Sequence, residues 1–364
     1  MVFWLFQKKC LLLLFEINKQ MNSKRIVTFG ELLLRFSKQG HKRFTQGEQL
    51  LGNFGGSEAN VAISLATLGD EVEYVTRLPK GQIGLAAKMM LREYGLDVSH
   101  VLTDGDRMGT YYFEGAAALR NSSVTYDRGN SAFGLIEPGM IDWHKVFEDA
   151  GVFHTSGIAG ALSPNASEAT FEALRVADEM GLTISFDINH RKNLWRYPGA
   201  NPIETLGGML QYADVMFGDV IEFEFLTKHP KIPFEARDVH YKMDLEPYRE
   251  WFDDLHRQFP RCRKWLMGMR NQVDASHHLL TCLLWSDGTL YSTRIYNIQD
   301  MVDPMGVGDA FAAGQIHAML AYPDDDQRIL DYALAASTLK YSFNGDFNLA
   351  TDEEIQELMA SPIK

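Results

Sequence analysis

The stretch Asp303-Pro304-Met305-Gly306-Val307-Gly308-Asp309-Ala310-Phe311-Ala312-Ala313-Gly314 decides how this chain is read. A run with strand character, residues 289–298, precedes it, and a run with helical spacing, residues 310–320, follows. Gly306 and Gly308 allow a tight turn and a close approach of the backbone to a ligand. The amides after them lie at a helix N-terminus, where unpaired N–H groups and the helix dipole favour an anion. Asp309 sits at that end. A carboxylate so placed is expected to stay ionised and to accept a proton from an alcohol. An anion cradle and a base in one turn are the parts needed to transfer a phosphoryl group to a hydroxyl. The plainer reading is a strand-to-helix turn with Gly for geometry and Asp as a cap.

A second stretch tips the balance: Gly55-Gly56-Ser57-Glu58-Ala59-Asn60-Val61-Ala62, running on to Leu68-Gly69. Together the two resemble the ribokinase-type (phosphofructokinase-B) sugar kinase family. Its members carry Gly-Gly-x-x-x-Asn-x-Ala near the start and Asp-Thr-x-Gly-Ala-Gly-Asp near the end. The resemblance runs from about residue 24 to the C-terminus, and the paired motifs are specific where either alone is weak. Two positions depart from the pattern. Met305 stands at a usual threonine and Val307, bulkier and β-branched, at a usual alanine.

Composition sets the bounds. A chain of 364 residues with 46% hydrophobic content suffices for a large core. A net charge of -13 argues against broad binding to nucleic acid or anionic membranes, but not against a phosphate bound at a local electropositive site. Cys10, Cys262 and Cys282 form neither a disulfide framework nor a zinc spacing, which points to a reducing cytoplasm. Residues 1–20 read as an extension foreign to the domain, non-native or disordered, with Met21 as the functional start. Their apolar runs are too short and interrupted to span a bilayer, and a peripheral helix is the minority reading.

Along the chain, strands are expected at 25–29, around 32–36, at 71–77, 110–113, 124–126, 183–186, 214–219 and 265–269, and one ending near His154 in a Thr-Ser-Gly turn. Helices are expected at 57–68, 84–94, 167–180 and 332–340. The segment 229–248 lacks periodicity and reads as an insertion or long loop. His277 and His278 would point to opposite faces of a strand, which argues against a metal site there. The alternation implies an α/β fold with a mostly parallel central sheet and helices on both faces. The resemblance adds ribokinase-like topology over 21–364 and a small β-sheet lid drawn from about 34–54 and 108–128, often used as a dimer clasp.

The resemblance also assigns roles. Gly56 and Asn60 match positions that bear on the acceptor sugar, although Asn60 reads equally as a structural amide holding its loop. The segment Tyr111-Tyr112-Phe113-Glu114, with Arg120 and Arg128 after it, looks like the 2-keto-3-deoxygluconate kinases, where a lid tyrosine and basic groups receive a sugar acid; Tyr112 and Arg128 are the residues chosen. Some relatives have an arginine where Glu114 stands, a contact that Arg120 or Arg128 would replace. The bland reading of Arg128 is a solvated face of the lid. Asn189 and Arg191 leave the end of a buried strand, where open α/β sheets bind ligands. Arg191 suits an acceptor carboxylate or transferred phosphoryl charge, since a guanidinium binds either bidentately.

Asp219 and Glu222 stand where the family often has Asn-x-x-Glu, serving magnesium and phosphate; they read equally as helix caps. Arg270 and Asn344 are assigned to the nucleotide, together with Asp219, Gly306 and Gly308. The expectation is therefore an ATP- and Mg2+-using kinase that phosphorylates the terminal hydroxyl of a sugar acid, 2-keto-3-deoxygluconate. Asp309 is its base, and the Gly306, Val307 and Gly308 amides are its anion hole. It binds no nucleic acid or membrane and forms a homo-oligomer. The alternatives are a fructokinase-like or other neutral-sugar kinase, and a sugar- or nucleotide-binding protein that has lost turnover.

Overall fold

A computed structural model describes residues 25–47, 49–229 and 232–362. The expected extension at 1–20, with Cys10, lies outside them. In chain order the strands are β1 (Arg25–Phe29), β2 (Leu33–Ser37), β3 (Leu51–Gly55), β4 (Val72–Val75), β5 (Arg77–Pro79), β6 (Leu102–Gly105), β7 (Thr110–Glu114), β8 (Ser123–Asp127), β9 (Ala150–Ser156), β10 (Thr183–Asp187), β11 (Val215–Asp219), β12 (Lys264–Gln272), β13 (His278–Ser286), β14 (Thr289–Ser292) and β15 (Tyr296–Ile298). The helices are α1 (Ser57–Thr67), α2 (Gln82–Glu93), α3 (Trp143–Val146), α4 (Gly157–Leu162), α5 (Pro164–Glu179), α6 (Pro202–Leu210), α7 (Val220–Thr227), α8 (Glu246–Gln258), α9 (Val307–Ala321), α10 (Asp326–Lys340) and α11 (Asp352–Ala360).

The main sheet runs β14-β13-β12-β11-β10-β9-β1-β4, with β15 also paired to β13. From β12 to β4 every pairing is parallel, and β13 begins an antiparallel edge. Strands covered on both faces should be apolar throughout, with successive side chains entering opposite layers. That is observed. Val27, Phe153, Met216, Trp265 and Met267 pack with α5, α6 and α8 on one face. Ile26, Val152, Val215, Phe217 and Leu266 pack with α1, α2, α9 and α10 on the other. No helix among the described residues is long and apolar enough to cross a membrane.

The expected lid is a four-stranded sheet in the order β3-β2-β7-β8, with β2 and β7 parallel. Three expectations need correction. The run 289–298 is two short strands, both antiparallel to β13, so the glycine motif follows an antiparallel edge. The turn after β9 is itself a helix start, because the Ser156 hydroxyl accepts from Ile158 N and caps α4. The insertion ends in α8, whose buried stripe Tyr248, Trp251, Phe252 and Leu255 has helical spacing.

Candidate active site

Helix α9 begins at Val307 because Gly306 adopts φ +79°, a left-handed conformation that favours glycine. A Cβ on Gly306 would also lie 1.9 Å from the Asp346 carbonyl oxygen. The first intrahelical bond is Ala310 N to Gly306 O at 2.9 Å, so the amides of Val307, Gly308 and Asp309 have no acceptor within the helix. A Cβ on Gly308 would meet nothing within 4 Å, so the turn borders open space. The two unusual residues are absorbed by packing. Met305 packs on Leu33, Tyr111 and Phe113. Val307 packs against the layer holding Phe311 and Ala312, and its carbonyl accepts from Ser337 Oγ at 2.8 Å.

Asp309 is gripped from α1. Ser57 Oγ donates to its Oδ1 at 2.8 Å and Asn60 Nδ2 donates to its Oδ2 at 2.7 Å. Asn60 Oδ1 also accepts from Gly56 N at 3.1 Å, so this one amide holds both the loop and Asp309. Gly56 itself is required by packing, since a Cβ there would lie 2.2 Å from Glu31 O. Asn189 Nδ2 donates to Ser57 Oγ at 3.2 Å and to Asp187 Oδ2 at 2.9 Å. Asn189 thus steadies Asp309 through Ser57. Asn189 and Arg191 have φ +37° and +35°, uncommon for residues with a Cβ, and the Asp187 carboxylate accepting from Asn189 N stabilises the turn.

Electrostatics bear on the basicity of Asp309. Burial raises the pKa of Asp309 above the usual carboxylate value, although Asn60, Ser57 and Arg191 all pull it down. Desolvation beats the helix terminus here, and a more basic carboxylate suits proton removal. Burial acts to lower the Arg191 pKa, but Tyr126, Glu222, Asp187 and Asp309 outweigh it and hold the guanidinium charged.

The cleft facing Asp309 is lined by Gly56, Asn60, Arg128, Arg191 and Gly306 from the expected set, together with Glu31, Ser57, Tyr111 and Tyr126. It shares Tyr126 and Arg128 with an outer cleft of about 560 Å³ under β8. Tyr112 is not among the lining residues. It stacks on Phe36 at 5.6 Å, while its neighbour Tyr111 points the other way, as successive strand residues must. Arg128 is no solvated face. Its side chain is 7% exposed and pairs with Glu31 Oε2 at 2.6 Å. Arg120 pairs with Glu114 at 3.2 Å and does not line the cleft.

Arg270 and Asn344 are exposed and lie outside this cleft, Arg270 beside Tyr341 and Asn344 in the loop after α10. Asp219 and Glu222 form a reciprocal capping box on α7, and Glu222 Oε1 also accepts from His190 N at 2.8 Å. No cluster of three metal-binding side chains occurs among the described residues. Burial pushes Glu222 up to about 7, with Asp219 adding to the shift; Asp187 is raised by burial and by Glu222. Both Glu222 oxygens accept backbone amides and Asp219 Oδ1 accepts from Glu222 N, so any magnesium held here would take one or two carboxylate oxygens and rely on water and phosphate for the rest.

Sequence reading missed a second network, which ties the lid to the glycine turn. Arg35 of β2, 3% exposed, donates at 2.7 Å to both Asp303 Oδ2 and Asp346 Oδ1. Tyr111 donates to Asp346 Oδ2, and Asp303 also accepts from the amides of Met305 and Gly345.

This architecture recurs in known proteins. Residues 23–249 match the family model described as pfkB family carbohydrate kinase. The chain belongs to that family. It is an ATP-dependent carbohydrate kinase with a ribokinase-like fold. A Haloferax volcanii 2-dehydro-3-deoxygalactonokinase is 28% identical to it over 92% of this chain and 96% of its own length. A Bacillus subtilis 2-dehydro-3-deoxygluconokinase is 27% identical over 92% and 95%. The crystal structure of a 2-dehydro-3-deoxygluconokinase from Thermotoga maritima has a TM-score of 0.84 and 31% identity, covering 93% of this chain and 99% of that one.

One further carboxylate gives the kinase a measurable pH signature. Glu58 of α1 is 1% exposed, its pKa is pushed up by burial to about 7 from 4.5, and it accepts a hydrogen bond from Ser156. The folded protein therefore holds a proton that the unfolded chain releases between these values. Stability should fall as pH rises from 4.5 to about 7 and then stay level. Glu58→Gln should lose this slope, changing the stability difference between the two proteins by about 3 kcal/mol across that window. Thermal melting at a series of pH values checks it, and parallel curves would overturn it.

Proposed function

We propose that this kinase transfers the γ-phosphoryl group of ATP to the terminal hydroxyl of a 2-keto-3-deoxy sugar acid, 2-keto-3-deoxygluconate in the first instance. The observation that carries the reading is a held carboxylate, Asp309, beside free helix-end amides and opposite Arg191 in one cleft. Asp309 removes the acceptor proton. The acceptor oxygen bonds to the γ-phosphorus, the bond to the bridging oxygen breaks, and ADP leaves with the electron pair. The Gly306, Val307 and Gly308 amides donate to the phosphoryl oxygens, each contributing about 3 kcal/mol where water is excluded. Magnesium, when bound near Asp219 and Glu222, neutralises phosphate charge. Asp219, Arg270 and Asn344 are assigned to the nucleotide, outside the cleft that holds Asp309, and β8, exposed along its length at the sheet edge, offers the surface for a lid-mediated dimer.

Arg191 and Arg128, with Tyr126 between the two clefts, favour an acidic acceptor over a neutral one, and the named activities of the relatives agree. The test is ADP release with magnesium-ATP against 2-keto-3-deoxygluconate, 2-keto-3-deoxygalactonate, gluconate, fructose and ribose. Turnover confined to a keto-deoxy acid supports the reading. Turnover confined to fructose or ribose moves the protein to the neutral-sugar kinases, and binding without turnover makes it a binding protein. Arg191→Gln should raise the acceptor KM at least about tenfold, because it removes a charge-assisted contact of roughly 1.5–3 kcal/mol. An unchanged KM would remove Arg191 from the acceptor site.

A further inference from the structure

Lys340, the last residue of α10, is 0% exposed, and phosphoryl transfer as described gives it no task. Its Nζ donates to two backbone carbonyl oxygens, Phe343 at 3.1 Å and Asp303 at 3.3 Å. The first lies in the loop leaving its own helix. The second lies in the loop that enters the glycine turn. The same two loops are joined by Val302 N to Tyr341 O at 2.9 Å and by Gly345 N to Asp303 Oδ2 at 3.1 Å. Burial lowers the Lys340 pKa; Asp303, Asp346 and Asp309 oppose this with attractive charge around the ammonium, and Arg35 adds to the lowering.

A lysine that only capped its helix would need no reach beyond Phe343. Burying an ammonium costs several kcal/mol unless its donors are satisfied, and here one of them is spent on a different loop. An ammonium held by carbonyl oxygens is chemically a bound monovalent cation. We propose that Lys340 is the resident monovalent cation of these two loops. It is a positioning residue that fixes residues 303–306, and through them the amides facing the phosphoryl group, and it frees this kinase from any need for added potassium or ammonium ions. The rate measurements below rest on the kinase reading; the melting measurements do not.

The native enzyme should turn over at the same rate, within about twofold, in choline chloride and in potassium chloride. Several-fold activation by potassium would overturn the proposal. Lys340→Met in choline should lose about 100-fold in kcat, the scale of a 1 Å misplacement, with a smaller change in KM. Ammonium chloride should restore at least about tenfold of that loss, and ammonium should raise the melting temperature of the variant, but not of the native protein, above its value in choline. A variant indifferent to ammonium in both rate and melting would overturn the proposal. If it folds in ammonium and not in choline, the proposal is supported; if it folds in neither, the native comparison decides. Should no sugar be phosphorylated at all, the kinase reading fails while the melting comparison still tests the cation.

Discussion

Asp309→Asn should abolish nearly all turnover, with kcat for ADP formation falling roughly 10³-fold, within the range for removing a general base. The substitution is close to isosteric, and its grip can survive. Asn60 Nδ2 donates to Oδ2 and Ser57 Oγ donates to Oδ1 in the native protein. An amide can keep its oxygen toward Asn60 and turn its NH2 toward Ser57, whose hydroxyl then accepts. Acceptor affinity by calorimetry should therefore change by no more than about threefold, separating chemistry from binding. The native rate should also decline as pH falls, because the base must be ionised and its pKa is raised. An asparagine variant with more than about a tenth of native kcat would remove Asp309 as the base.

Gly306→Ala should be the most damaging small substitution. The left-handed φ of +79° alone costs about 1–2 kcal/mol with a Cβ. The methyl would also lie 1.9 Å from the Asp346 carbonyl, so the loop has to move. Moving it redirects the helix-end amides, and kcat/KM should fall at least about 100-fold. Gly308→Ala is the matched control. Its Cβ meets nothing within 4 Å, so melting should shift little, while KM for ATP rises because the methyl takes space beside the phosphates. A Gly306→Ala enzyme with native melting and native turnover would show that the turn tolerates what its geometry forbids.

The fold was legible because its signals are local. Parallel strands buried on both faces read as apolar runs, and the pair Gly306 and Asp309 marks a helix start without help from elsewhere. The site was legible where a motif carried it: Gly56, Asn60, Arg191, Gly306 and Asp309 do meet in one cleft. The choice between Tyr111 and Tyr112 depended on strand register, where one residue exchanges the two faces. Helix α8 is not legible within 229–248, because that segment holds only Tyr248, the first residue of its buried stripe. Arg35, Asp346 and Lys340 gave no local signal, since a charged residue in a sequence looks exposed until its partners are known. Asp219 and Glu222 show the opposite ambiguity, a spacing that suits a helix cap and a metal-facing pair alike.

The bonds that make the site join the two ends of the chain. Ser57 and Asn60 stand 252 and 249 residues from Asp309, and Arg35 stands 268 and 311 residues from Asp303 and Asp346. During synthesis at about 5–20 residues per second, the N-terminal half of the site waits roughly 10–60 s for the other half to emerge. A chain released early carries Arg35, Ser57 and Asn60 but neither Asp309 nor the glycine turn. Interrupted translation therefore yields fragments that lack one half of this hydrogen-bonded network.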